Sequence, residues 1–110
     1  MSPEAECRPD EVVVTGLGTV NPLGADIEST WSALHEGTCA VRTLEHEWVE
    51  SHDLPVRIGA PLAVDPAEML PPRQLRRLDR ASQCALLAAR QAWEQAGSPQ
   101  IGPQRLAVSV

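Results

Sequence analysis

Lysine, phenylalanine and tyrosine are absent from this 110-residue chain, asparagine occurs once, and the only aromatic side chains are three tryptophans. With no Phe or Tyr, a core has to come from Val, Leu, Ala and Ile, which makes it modest. With no Lys, all nine basic residues are Arg, so a phosphate-binding loop ending in Gly-Lys is excluded. The formal net charge of −6 disfavours general binding to nucleic acid or to an anionic membrane. No apolar run approaches the ~20 residues of a membrane span. Glu4, Glu6 and Asp10 stand where a secretory signal needs a basic and then an apolar stretch, which points to the cytoplasm. Cys7, Cys39 and Cys84 are odd in number and lack Cys-x-x-Cys spacing, as reduced thiols do. His46 and His52, six apart, cannot share a helical face as the histidines of His-Glu-x-x-His do. With His35 they read as surface residues, and neither metal nor organic cofactor is expected.

What is present divides the chain. Residues 1–10 read as a mobile acidic leader, and the rest is one domain at most. Glu11 to Thr15, with the β-branched run Val12-Val13-Val14, predicts a strand. A turn region to Gly24 follows, and Asp26 then caps a helix whose Ile27, Trp31 and Leu34 form an apolar stripe ending at Gly37. Trp31 is expected to be buried there. Pro55, Pro61, Pro66, Pro71 and Pro72 crowd the middle of the chain, so residues 38–72 are expected to be a long connection. Within it a short strand is expected at Val56 to Ile58 and a helical turn at Pro66 to Leu70. From Arg73 to Ala96 the composition is helical, with a break at Asp79 and an end at Gly97. Ala81, Ala85, Ala88, Ala89, Ala92 and Ala96 allow close packing, so the second helix is expected to be buried on most sides, with Cys84 facing its interior. Leu106 to Val110 predicts a final strand. Strands joined through helices usually run parallel with a right-handed crossover, which makes the fold class α/β.

Gly16-Leu17-Gly18 invites a dinucleotide-binding reading, but the third glycine would fall at position 21, which is Asn. A tight turn after a strand accounts for the glycines better. The whole run from Val12 to Gly24, Val-Val-Val-Thr-Gly-Leu-Gly-Thr-Val-Asn-Pro-Leu-Gly, resembles the opening strand and loop of the β-ketoacyl-acyl-carrier-protein synthases. The likeness continues through Asp26 to Trp31, Leu34 to Gly37, Leu54 to Gly59, Arg76 to Arg80 and Ala88 to Gly97, and is greatest to the elongating, synthase II-like enzymes. It implies a partial thiolase-like layered fold with an incomplete sheet: strand, helix, long connection, helix pair, strand. Residues 11–110 would be the N-terminal part of the synthase N-terminal domain. Gly16, Gly18, Pro22, Gly24 and Trp31 would be structural, and Cys39 would pack beside a buried aliphatic residue. The resemblance further implies decarboxylating Claisen condensation, a homodimer and acyl carrier protein as partner. The family's nucleophilic cysteine and its two histidines lie in later motifs than any present here, so no catalytic residue is expected in this chain. Two alternatives stand beside this reading: a non-catalytic module that binds acyl carrier protein or a synthase, and a relic of a truncated gene.

Arg73, Arg76, Arg77 and Arg80, at i, i+3, i+4 and i+7, would share one helical face in an otherwise acidic chain. Such a ridge suits a specific anionic partner. It also suits a solvated arginine face, or internal pairing with Asp79 and nearby Glu residues. The resemblance assigns Arg73, Arg76 and Arg77 to docking of the acidic helix of acyl carrier protein, and gives Arg80 no such role.

Overall fold

The structure is a computed structural model that describes residues 9–110. Most of the expected leader, Cys7 included, lies outside the described residues. The elements run α1 (Ile27–His35), β1 (Arg42–Thr43), α2 (Glu47–Ser51), β2 (Ile58–Gly59), α3 (Pro66–Met69), α4 (Pro72–Leu75) and α5 (Arg80–Gln95), then a 3-10 turn over Pro103–Arg105.

The helix ends form where local chemistry dictates. At the start of α1 the Asp26 carboxylate accepts from the Ser29 amide at 2.8 Å, and the Ser29 hydroxyl answers the Asp26 amide, which closes a capping box. At its end Gly37, at φ +73°, lets the amides of Gly37 and Thr38 bond back to the carbonyls of Leu34 and Ala33. The end of α5 repeats the device: Gly97 sits at φ +84°, its amide meets the Glu94 carbonyl, and the Ser98 amide meets that of Trp93. Asp79 caps α5 by accepting from the Ser82 amide at 2.7 Å, so the expected break falls there.

The sheet departs from expectation. β1 and β2 pair antiparallel, Arg42 opposite Gly59 and Thr43 opposite Ile58. The short strand expected at Val56 to Ile58 overlaps β2 only at Ile58, and neither its partner β1 nor α2 is among the expected elements. Neither Glu11 to Thr15 nor Leu106 to Val110 is a strand, and no parallel pair occurs among the described residues. Thr15 and Gly16 line one open groove of about 470 Å³ together with Leu106 to Ser109 and with Ala89, Ala92 and Trp93 of α5. No backbone hydrogen bond joins Val12–Thr15 to Ala107–Val110. A strand is defined by its neighbour, and β-branched sequence supplies only half of the pair.

Burial is sparse. Val49, Leu70 and Leu87 are the buried apolar residues among those described, with Pro66 fully enclosed beside them. α3 packs on α5, and Arg80 ties them by reaching the Asp65 carboxylate at 3.3 Å. The radius of gyration is 18.4 Å, against about 13 Å for a compact chain of this length. The accessible surface is 9335 Å², against about 5,900 Å² for a compact monomer of this mass. Two expectations fail accordingly. Trp31 is 70% exposed, because the stripe of α1 meets no facing element. α5 is not buried on most sides: Leu87 is enclosed, whereas Ala85, Ala89 and Trp93 are open. Cys84 is half-buried, and Cys39 is exposed rather than packed.

Candidate functional site

The Gly-x-Gly segment is a docking strip for α5. Four helical residues advance about 6.0 Å and two extended residues about 6.7 Å, so Gly16 and Gly18 fall in step with Ala92 and Ala88, the strip running antiparallel to the helix. A Cβ on Gly16 would lie 2.9 Å from the Ala92 carbonyl carbon, and one on Gly18 would lie 2.8 Å from that of Ala88. Both would be closer still to the carbonyl oxygens. The backbones touch, so only glycine fits. Two glutamines one helical turn apart hold the strip: Gln95 Oε1 accepts from the Leu17 amide at 2.6 Å, and Gln91 Oε1 accepts from the Thr19 amide at 3.0 Å. Gln91 Nε2 also donates to the Ala25 carbonyl at 2.6 Å.

The turn that follows is organised by Asn21. Its amide and carbonyl exchange hydrogen bonds with those of Gly24, closing a turn with Pro22 at its second position. Asn21 Oδ1 accepts from the Leu23 amide at 2.8 Å, while Nδ2 donates to Thr19 Oγ1 and Thr30 Oγ1. Gly24 is buried, and a Cβ there would lie 2.7 Å from the Thr30 amide nitrogen. Backbone close to Gly16, Gly18 and Gly24 leaves no room for a side chain, Pro22 stands in the turn, and Trp31 is exposed. Sequence reasoning passed over Asn21, Gln91 and Gln95. The Asn-Pro dipeptide marks the turn, and glutamines at i and i+4 beside an Ala88, Ala92, Ala96 ladder mark the clamp.

The four arginines do not share a helix. Arg73 lies in α4, Arg76 caps its C-terminus, Arg77 follows in the turn that leads to Leu78, and Arg80 opens α5 beyond the Asp79 break. Arg80 is spent on Asp65. Arg73, Arg76 and Arg77 are exposed and make no ion pair with any described residue, so the internal pairing weighed above is absent for these three. Asp79, the nearest carboxylate in sequence, is occupied with the amide of Ser82, and that hydrogen bond lowers its pKa. Asp65 is likewise lowered, first by the Ala67 amide that it caps and then by Arg80.

His35, His46 and His52 are all exposed. The rings of His46 and Trp48 stack at 5.7 Å, and His52 Nδ1 contacts the Trp48 carbonyl at 2.8 Å. Among the described residues no three His, Cys, Asp or Glu side chains converge as a metal site would require. Among the described residues no helix is long and apolar enough to cross a membrane.

Comparison with known proteins places the chain. Residues 9–110 match the family described as beta-ketoacyl synthase, N-terminal domain, and the chain belongs to that family. It is 39% identical to 3-oxoacyl-[acyl-carrier-protein] synthase 2 of Mycobacterium tuberculosis, across 90% of this chain and 24% of that protein. It is 42% identical to the ketoacyl synthase beta subunit of the tetracenomycin polyketide synthase of Streptomyces glaucescens, across 81% of this chain and 22% of that subunit. The alpha subunit of the same synthase is 35% identical across the whole chain and 25% of its own length. The chain thus spans about a quarter of the curated relatives that it matches.

Proposed function

We propose that this chain forms the N-terminal part of a cytoplasmic, homodimeric 3-oxoacyl-acyl-carrier-protein synthase working in fatty-acid or polyketide assembly. Its part in that enzyme is scaffold and carrier docking. In the family reaction an acyl group is held as a thioester on a cysteine, and a malonyl unit on its carrier loses carbon dioxide. The resulting carbanion attacks the thioester carbon, forming the new carbon–carbon bond and releasing the cysteine thiolate. None of these bond-making groups is assigned to residues 9–110. The glycine strip, the glutamine clamp and α5 form the support of a thiolase-like layered fold, and the apolar groove between Thr15 and Val108 is where sheet is added.

The observation that carries the docking role is that Arg73, Arg76 and Arg77 are exposed and make no ion pair with any described residue, in a chain of net charge −6. Three exposed cations clustered on an acidic body attract one acidic helix, while the remaining surface repels polyanions at large. Reversing Arg76→Glu together with Arg77→Glu is expected to weaken binding of acyl carrier protein and to flatten its dependence on salt. Unchanged affinity at low ionic strength would refute the docking role.

A further inference from the structure

Of the eight arginines among the described residues, Arg57 and Arg80 lie within ion-pair distance of a carboxylate. Arg90, about three turns into α5, does not, although Glu94 follows it at i+4. A basic residue N-terminal to the acidic one is the weaker order for such a helical pair. The Arg90 side chain instead leaves its own helix, and Nη2 donates to Gln74 Oε1 on α4 at 3.1 Å. Gln74 sits between Arg73 and Arg76, and its backbone carbonyl accepts from the amides of Arg77 and Leu78. A fourth guanidinium is therefore brought across from another helix to the residue that stands between Arg73 and Arg76, and it is held there by a neutral amide.

Like charges gathered within a Debye length raise one another's energy unless an anion is added. One hydrogen bond to Gln74 uses one of the five N–H donors of Arg90 and leaves the rest of the planar fork free for a carboxylate. We infer that Arg90, positioned by Gln74, is a fourth cation of the docking surface and binds a carboxylate of the partner's acidic helix directly. This inference rests on the docking role of Arg73, Arg76 and Arg77.

The test is titration of purified acyl carrier protein against the intact chain at several salt concentrations, comparing the parent with Arg90→Gln, Arg90→Lys and the Arg76→Glu, Arg77→Glu double variant. Equal helix content by circular dichroism verifies the fold of each. Arg90→Gln is expected to weaken binding by about two- to fivefold at low salt and to flatten the salt dependence. Arg90→Lys is expected to keep the salt dependence, since its charge remains. If the double variant loses binding while Arg90→Gln matches the parent in affinity and salt slope, Arg90 has no part in docking and the three-arginine surface stands. Weaker binding by Arg90→Gln with an unchanged salt slope means that Arg90 only props α4, and overturns the inference. If the double variant also binds like the parent, the docking role itself is wrong.

Discussion

Replacing Gly18 by alanine tests the reading of the glycine strip. The added methyl carbon would stand 2.8 Å from the Ala88 carbonyl carbon and 2.9 Å from the Ala92 amide nitrogen, whereas ordinary contact begins at 3.4 Å. Neither atom yields readily, because both belong to the hydrogen-bonded backbone of α5. The strip has to lift by more than half an ångström, which strains the bonds from Thr19 to Gln91 and from Leu17 to Gln95. Overpacking of this kind costs about 1–3 kcal/mol, and each hydrogen bond lost adds about 0.5–1.5 kcal/mol. Alanine recovers about 0.4–1 kcal/mol by stiffening the unfolded chain. The expected net loss is about 2–4 kcal/mol, which in urea lowers the midpoint by at least about 0.7 M. Helix content at zero denaturant, read by circular dichroism, covers the case in which the variant is already unfolded. An unfolding free energy within about 0.5 kcal/mol of the parent's, the range of ordinary surface changes, would refute the close contact. The control is Gly37, which has open space around its Cα and needs glycine only for its positive φ. Gly37→Asn is expected to be nearly neutral, because Asn tolerates that conformation.

Three further outcomes follow from the same geometry. Gln91→Leu removes both the acceptor for Thr19 and the donor to the Ala25 carbonyl; it should cost about 1–3 kcal/mol, and Gln91→Glu, which restores only the acceptor, should not recover the loss in urea melts. Trp31→Ala should change stability by less than about 1 kcal/mol, because the ring is 70% exposed; a loss near the ~3–5 kcal/mol of a buried tryptophan would show that α1 is covered in solution. Asp26, Asp65 and Asp79 all have pKa values below the ordinary 3.8, through the amides and hydroxyl that they accept from. A depressed folded value means stability that is present above the unfolded pKa and lost as pH falls through the folded one, so helix content should hold from pH 7 to 5 and drop below about 4. Asp79→Asn, which keeps a cap acceptor without a titrating charge, should shrink that drop.

Much of the local structure was legible in the chain because its causes lie within four residues of their effects. Asp26 and Asp79 start helices by capping amides three positions on, and Gly37 and Gly97 end them by adopting a φ that other residues avoid. The missing third glycine at Asn21 argues against a nucleotide loop at Gly16 and Gly18, but the distant helix whose backbone they approach cannot be named from spacing. The clustering of Arg73, Arg76 and Arg77 is legible in the sequence, but whether a described carboxylate pairs with them is not, since pairing depends on where Asp65 and Asp79 point.

Sequence by itself determined the caps of α1 and α5, the break at Asp79 and the family. Tertiary structure decided which glutamines clamp the glycine strip, that Arg80 turns to Asp65 while Arg90 crosses to Gln74, that β1 pairs with β2, and that Val12-Val13-Val14 and Trp31 stay exposed. The division has a physical cause. Caps and turns are closed by a residue's own neighbours in the chain, whereas a strand, a buried ring or an ion pair exists only when a distant segment arrives to complete it.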